Sequence, residues 1–473
     1  MARNSKNKDD SISLKFTTFG LKSSKEDNYT EEELMNAPLL SDNSRSEGIS
    51  VIDETSDNAY SEEIDVARMP DYGGSIFSSF LNMANSIIGA GIIGLPYSFR
   101  EAGIFTGIIL LIGLTIIVDW TIRLLVLNAK LSGRNSYQEI MNYCFGKSGM
   151  IAISLFQFVF AFGGMCAFCV IIGDTIPEVI KSIFPGIVDI PVLYLFGKRN
   201  FVIIFCTVFV SYPLALYRDI SKLAKASGLA LISMVIIVVA VVVEGPQVDP
   251  SLRGKVEGKW DFIKPDVFQS IGVISFAFVC HHNSLLIFDA LHKPTMNRFA
   301  AVTHLSTFVS LLACLLMALS GYLVFTDRTQ GNILNNFPGD DFIINVARFC
   351  FGFNMFTTLP LELFVCREVI NNYYFPYDPF NLLRHVIITT LLVGSAMAVS
   401  LLTDSLGVVL ELTGGFSATA LAYILPPACY LKLSSGKLWT LNKLPAILCV
   451  MFGILVMVLS TIFSIANIVS GWI

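Results

Sequence analysis

The chain has 473 residues, of which 54% are apolar and only 15% are charged, and its mean hydropathy is +0.65. A soluble domain cannot keep that much apolar surface away from water, so the composition excludes an ordinary globular protein. It predicts an all-α polytopic membrane protein. The formal net charge of −5 averages two unlike parts, because residues 1–72 hold 16 acids against 8 bases.

The first 72 residues predict an acidic cytosolic tail. They are rich in Ser, Asn, Asp and Glu and show no sustained apolar period, which is typical of a disordered, solvated segment. No basic stretch followed by a short apolar run is present, so the tail does not resemble a secretory signal. Residues 73–468 then form the predicted transmembrane domain, and residues 469–473 a short non-cytosolic C-terminus.

Eleven apolar segments, separated by short polar loops, follow the tail. Each is close to the roughly 20 residues that a helix needs to cross the hydrocarbon of a bilayer. Lys and Arg are more frequent in the loops on the side of the tail, which favours a cytosolic N-terminus. The predicted segments are 74–98, 103–127, 150–180, 200–217, 226–244, 268–291, 299–325, 342–366, 384–402, 405–430 and 443–468.

The first segment is predicted to be a broken helix. Residues 82–96 hold three glycines and two asparagines within one apolar stretch, and the break is expected at Gly89, Ala90 and Gly91. A membrane helix that stops bonding to itself at mid-depth must line a cavity or be buried in protein. A glycine face for close helix packing is the alternative, but packing alone does not require the asparagines.

The sixth segment is interrupted by Cys280, His281, His282 and Asn283. Polar side chains near mid-membrane are costly if they face lipid, so these are expected to face an interior. The histidines are candidates for a proton relay because histidine titrates near neutral pH. Alternatively, they only form hydrogen bonds that hold the break open. Neighbouring helical residues point about 100° apart, so the two rings are not expected to share a metal ion.

Together the two breaks predict a substrate site. Interrupted helices at corresponding places in two halves of a chain are typical of secondary transporters. The ends of the half-helices carry partial charges that suit the carboxylate of an amino acid and a small cation.

Three further polar residues lie inside two of the predicted spans. In the eighth, the hydroxyls of Thr357 and Thr358 are candidates for an oxygen cage around Na⁺, together with carbonyls freed by the first break. Hydrogen bonding of both threonines to the preceding helical turn is an equally good explanation. In the tenth, Glu411 is a carboxylate with no assigned partner, and such a residue is a functional candidate by default.

Three stretches resemble the amino acid/auxin permease family, and within it solute carrier family 38 and the fungal vacuolar amino-acid transporters. They are residues 82–96, residues 214–218 and residues 275–283. The resemblance runs from about residue 73 to 467 and does not cover the tail.

The resemblance implies a LeuT-like fold of about 11 transmembrane helices. Its first five and second five helices would form an inverted repeat with helices 1 and 6 broken, and helix 11 would lie outside the repeat. It also implies that the unwound segments, including Ile88, bind the substrate. The resemblance further implies that the Na⁺ site of the family corresponds here to Asn85 and Ile88, together with Thr357 or Thr358.

The function predicted from these features is secondary active transport of small neutral amino acids by alternating access, coupled to H⁺ or Na⁺. The cysteines that plasma-membrane members of the family cross-link are absent, which favours a vacuolar, lysosomal or other internal membrane. The alternative is an amino-acid sensor whose tail docks a signalling partner. An enzyme is not expected, because no set of nucleophile and base or of metal ligands has a usable spacing. No cofactor other than the coupling ion and no nucleic-acid partner are expected.

Overall fold

The computed structural model of the chain describes residues 74–217, 227–255, 258, 260–375, 378–403, 405–437 and 439–472. The predicted tail, residues 1–72, lies outside the described residues, as does Ile473 at the C-terminus. Within the described ranges the regular structure is helical, apart from one isolated β-bridge between Gly74 and Leu291. The prediction of an all-α polytopic membrane protein is confirmed for this part of the chain.

The helices of the first half follow the first five predicted segments. Helix α4 is the longest because a short polar helix continues into the membrane segment at Gly146, whose φ of +63° allows a sharp bend that a residue with a side chain rarely adopts. The bounds are α1 Ile76–Ile87, α2 Leu95–Ala102, α3 Ile104–Ser132, α4 Tyr137–Ile183, α5 Arg199–Cys206, α6 Tyr212–Ala215 and α7 Ser227–Glu244.

The helices of the second half follow the remaining six segments. The tenth segment changes from α-helix to two consecutive π-helical turns, Gly414–Ala418 and Ala420–Ile424, before it becomes α-helical again. The bounds are α8 Val267–Phe278, α9 His281–Asp289, α10 Met296–Phe325, α11 Phe342–Tyr374, α12 Leu382–Leu402, α13 Leu406–Thr413, α14 Leu425–Leu433 and α15 Leu444–Trp472.

Nine helices of the described chain are long and apolar enough to cross a membrane, and the bent pair α1–α2 makes a tenth if it counts as one span. The fourth predicted segment corresponds to Arg199–Ala215, which is apolar but shorter than the others. Its helix passes through a π-helical turn, Thr207–Ser211, just before Pro213. Proline has no N–H to donate to the preceding turn, so regular α-helical bonding is interrupted there.

The two broken helices lie side by side in opposite directions. Helix α1 packs against α9, whereas α2 packs against α8, so the breaks face one another. One end of this arrangement is tied by the β-bridge: the amide of Gly74 donates to the carbonyl of Ala290 at 2.7 Å, and the amide of His292 donates to the carbonyl of Gly74 at 3.0 Å. The start of α1 and the end of α9 are therefore joined at this end of the pair.

Candidate functional site

The first break lies at Ile88 and Gly89. Helix α1 ends at Ile87, Ile88 has a ψ of 65°, and Gly89 is extended with φ −101° and ψ −154°. A 3-10 turn, Ala90–Gly94, then leads into α2, and the axis has turned by 43°. The predicted interruption is thus present one residue earlier than the glycine pattern suggested, and the last carbonyls of α1 are left without the next helical turn.

The two glycines of the first break have different surroundings. A Cβ on Gly91 would stand 2.6 Å from the Cα of Ala277 in α8, which is too close for any side chain. A Cβ on Gly89 would meet no atom within 4 Å. The packing alternative therefore describes Gly91, whereas Gly89 borders open space beside the break.

The second break lies at Val279 and Cys280. Helix α8 ends at Phe278, Val279 has a ψ of 110°, and Cys280 is outside the helical region at φ −126° and ψ 15°. The residues that follow are already in the first turn of α9, so the interruption comes before the two histidines and not at them. The amide of Asn283 donates to the carbonyl of Cys280 at 3.0 Å and so starts the new helix.

The polar side chains of α9 face the interior. His281 is fully buried, and its Nε2 is 2.9 Å from the hydroxyl oxygen of Thr121 in α3. The ring of His282 is 5.5 Å from that of Phe160 in α4. Within the described chain, the Nδ1 atoms of both histidines are buried without a hydrogen-bond partner. Buried polar atoms are normally paired, so each of these nitrogens is a candidate contact for a polar ligand.

A direct hydrogen bond joins the two broken helices. The side-chain amide of Asn283 donates to the hydroxyl of Ser86 in α1 at 2.9 Å. Asn85, the neighbouring residue, is half-buried. The structure thus joins the two segments through Ser86 and Asn283, and it packs the 3-10 turn of Ala90 and Gly91 against α8. The residues predicted for the substrate site all lie at or beside the two breaks, and they are Ile88, Gly89, Ala90, Gly91, Cys280, His281, His282 and Asn283.

The two threonines predicted to coordinate Na⁺ form local hydrogen bonds. The hydroxyls of Thr357 and Thr358 donate to the carbonyl of Asn354 at 2.9 and 2.8 Å, which is the back-bonding alternative. In the described part of the chain no hydrogen bond connects them to Asn85 or to Ile88. Their oxygens keep lone pairs that a cation could use, so a role in ion coupling stays a prediction.

Glu411 lies in a polar cluster whose other members the sequence analysis did not single out. It is 3% exposed, and its carboxylate accepts from the hydroxyl of Tyr97 in α2 at 2.8 Å and from that of Ser464 in α15 at 3.2 Å. These partners are far away in the sequence, and no local pattern marks them. The cluster links the half-helix that follows the first break to α13.

A second polar cluster, also missed, joins four parts of the chain. Asp174 of α4 accepts from Nε of Arg199 at 3.2 Å and from the side-chain amides of Asn332 at 3.3 Å and Asn335 at 3.0 Å. Arg199 in turn donates to the carbonyl of Thr403 after α12 at 2.9 Å. The loop between α10 and α11 is therefore held against three helices at this end of the bundle.

Comparison with known proteins assigns this architecture to a described family. Residues 72–466 match the model of a family described as "Transmembrane amino acid transporter protein". The chain is 41% identical over 460 residues to Vacuolar amino acid transporter 2 of Saccharomyces cerevisiae, with 93% of this chain and 95% of the relative covered.

Animal relatives match as well. Putative sodium-coupled neutral amino acid transporter 11 of Danio rerio is 41% identical over 388 residues, which is 82% of this chain and 86% of the relative. Its counterpart in Homo sapiens is 37% identical over 372 residues, which is 78% of this chain and 89% of the relative.

Proposed function

Because the chain belongs to the transmembrane amino acid transporter family, we propose that it is a secondary active transporter of small neutral amino acids. It binds its substrate between the two broken helices and works by alternating access. Transport is coupled to H⁺ or Na⁺. The family consists of transporters, so the chain is not expected to act as an enzyme.

The observation that carries this proposal is the pairing of the two breaks. The end of α1 offers the carbonyl of Ile88, since that of Ile87 already accepts from the amide of Gly89 at 2.8 Å. The beginning of α9 offers the amides of His281 and His282. Carbonyls suit the ammonium group of an amino acid, and helix N-termini suit its carboxylate. The unpaired Nδ1 atoms of His281 and His282, in the first turn of α9, are a further reason to expect a polar ligand.

The preference for a neutral side chain rests on the apolar walls of the site. The ring of Phe160 lies 5.5 Å from that of His282, and the ring of Phe276 lies 5.4 Å from that of Phe160. The residues predicted for the substrate site include no Asp, Glu, Lys or Arg, so they offer no full counter-charge to a charged side chain. An acidic or basic substrate would therefore bury an unpaired charge there, which is costly.

The helix order supports a repeat of five and five. A broken helix stands first and sixth among the eleven segments, and the two are antiparallel neighbours, as two inverted halves would place them. We propose that α1 to α7 and α8 to α14 form these halves and that α15 is the additional helix. One half would rock against the other around the breaks.

The membrane is proposed to be that of a vacuole, a lysosome or a related organelle. The relative from Saccharomyces cerevisiae, which matches over nearly the whole of both chains, is named a vacuolar transporter. A vacuolar membrane would also supply the proton gradient that one of the two coupling modes needs.

The experiment that tests the proposal is amino-acid flux into proteoliposomes that contain the purified full-length chain. Radiolabelled alanine, glutamine and leucine are offered under an imposed pH gradient, an imposed Na⁺ gradient, or neither. We expect accumulation of at least one of them only when a gradient is present. Flux that responds to neither gradient would contradict coupled transport, and the absence of any flux would contradict the assignment of these substrates.

A further inference from the structure

Glu411 has the surroundings of a group that binds and releases a proton. Its two hydrogen-bond donors, Tyr97 and Ser464, are both uncharged hydroxyls, and they come from two different helices. It lies about 8 Å along α13 from the first residue of that helix, at 1.5 Å per residue. It is 3% exposed and therefore buried, about one and a half helical turns from this end of the bundle.

None of the charged groups around Glu411 forms an ion pair with it, although Arg100 interacts with it electrostatically. The guanidinium of Arg100 lies 4.4 Å from the ring centre of Tyr97, but it forms its ion pair with Glu101. Glu101 also interacts electrostatically with Asp266, the residue before α8. In the described chain the titratable or charged groups around Glu411 are Tyr97, Arg100, Glu101 and Asp266. No lysine or arginine among the described residues forms an ion pair with the carboxylate of Glu411.

The hydrogen bonds of Glu411 accommodate both of its protonation states. As a carboxylate it only accepts, and each oxygen has one hydroxyl donor. With a proton on Oε2, it can donate to Oγ of Ser464, because a serine hydroxyl both donates and accepts. Tyr97 continues to donate to Oε1. The proton can therefore arrive and leave without displacement of any heavy atom of the cluster.

We propose that Glu411 is the proton-binding site that couples this transporter to a pH gradient, an inference that rests on the function proposed above. The proton is taken from water on one side of the membrane, resides on Oε2 of Glu411, and is released to water on the other side. A carboxylate deep in a membrane protein is costly unless it is paired, so proton binding offsets that cost.

The position of Tyr97 links this proton to substrate binding. Tyr97 belongs to α2, the half-helix that begins after Gly89 and the 3-10 turn. The buried cluster also includes Gly407 of α13, where a Cβ would stand 2.7 Å from the ring of Tyr97. If α2 moves during transport, the hydroxyl of Tyr97 leaves Oε1, and the free energy of proton binding at Glu411 changes. Proton uptake and movement of α2 are thereby coupled.

The first test compares two transport measurements for Glu411→Gln in proteoliposomes. Glutamine keeps the shape and accepts from Tyr97, but it cannot take up a proton. We expect loss of accumulation driven by the pH gradient, while exchange of labelled for unlabelled alanine, glutamine or leucine across the membrane persists. The control is Glu178→Gln, which removes a partly exposed ion pair with Lys181 and should leave both measurements unchanged. Accumulation by Glu411→Gln equal to that of the wild type would overturn the proposal.

The second test needs no transport. Infrared difference spectra of the purified wild-type protein, recorded across a pH series, should contain a protonated-carboxyl band that is absent from Glu411→Gln and present in Glu178→Gln. If the band is missing from the wild type at every pH, Glu411 does not bind a proton and the proposal fails. Flux driven by Na⁺ alone would also refute the proton site at Glu411, but it would leave the transport function intact. A wild-type protein with no flux would refute the transport function, and the infrared result would be unaffected.

Discussion

Glycines that are two positions apart have opposite roles at the first break. Gly91 is required for the close approach of the 3-10 turn to Ala277, whereas Gly89 leaves open space beside the unwound backbone. The dihedral angles of Gly89, φ −101° and ψ −154°, are accessible to residues with a side chain. A larger residue at position 89 should therefore fold normally and fill the space that the substrate is proposed to use.

We accordingly expect Gly89→Leu to abolish amino-acid flux with little change in thermal stability, because its side chain enters open space. Gly91→Ala serves as the comparison: its methyl group collides with backbone, so it should lower the melting temperature. Both are measured by flux in proteoliposomes and by thermal unfolding of the purified protein in detergent. Full transport by Gly89→Leu would contradict the placement of the substrate at the first break.

The buried imidazole of His281 depends on Thr121 for its one described hydrogen bond. Thr121→Val keeps the volume but leaves Nε2 unpaired, and an unsatisfied buried polar group costs about 1–3 kcal/mol. We expect a lower melting temperature for this variant. Thr115→Val in the same helix is the control, since the hydroxyl of Thr115 donates only to the carbonyl of Leu111 among the described contacts. Equal stability of both variants would show that the contact with His281 contributes nothing.

At the scale of elements, a buried arginine holds the loop before α11 in place. Arg348 is 2% exposed and donates to the carbonyls of Leu334, Phe337 and Pro338 and to the side chain of Asn345. The first three acceptors belong to the connection between α10 and α11, which also contacts Asp174 through its asparagines. The guanidinium of Arg348 therefore supplies hydrogen bonds to carbonyls that have no helical or sheet partner in this irregular segment.

Arg348→Met should destabilise the protein by at least about 3 kcal/mol, because several buried carbonyls lose a charged donor. The comparison is Arg384→Met. Its ion pair with Asp378 is on the surface, and such pairs contribute about 0–1 kcal/mol. Thermal unfolding of both variants in detergent provides the measurement. A melting temperature of Arg348→Met equal to that of Arg384→Met would contradict this account.

Which elements the sequence predicted, and which it did not, has a physical explanation. Long apolar runs are local, so all eleven segments have a helical counterpart. The π-helical turns of the tenth segment and the short helix Arg199–Ala215 depend on the backbone hydrogen bonds of individual turns. Hydropathy carries no information about those bonds. The breaks were found because glycine, asparagine and histidine are unusual inside a span. Their positions, Ile88–Gly89 and Val279–Cys280, depend on backbone angles that the neighbouring helices impose.

Contacts between distant residues account for most of what the sequence missed. Glu411 was recognised as an unusual residue, but its partner Tyr97 is 314 positions away, and an ordinary tyrosine at the end of an apolar segment gives no signal. Asp174 and its two asparagine partners are similarly separated. The threonines predicted to bind Na⁺ illustrate the opposite case, since their spacing fits two explanations and the structure shows the local hydrogen bonds of one of them.

At the scale of the whole molecule, the alternating access proposed above would require the broken helices to separate at one end and approach at the other. The β-bridge between Gly74 and Leu291 joins the start of α1 to the end of α9. Residues paired in this way are close enough for an engineered disulfide. A cross-link at this place would hold one end of the arrangement closed.

We therefore expect the double variant Gly74→Cys, Leu291→Cys to lose flux on oxidation and to regain it after reduction with dithiothreitol. Each single cysteine variant should be insensitive to the same treatment. Flux in proteoliposomes, together with a thiol-labelling assay that reports formation of the bond, gives the result. Undiminished flux in the fully cross-linked protein would mean that this end does not open during transport.

The same bridge lies where the polar N-terminal segment joins the helical domain. Residues 1–73 join the helical domain at Gly74, the residue whose amide and carbonyl are both engaged by the end of α9. Two backbone hydrogen bonds, each contributing about 1 kcal/mol net, are all that this contact adds. A force applied to residues 1–73 would therefore reach α1 through Gly74. The free energy needed to break the two hydrogen bonds of Gly74 is small enough for an ordinary binding event to supply.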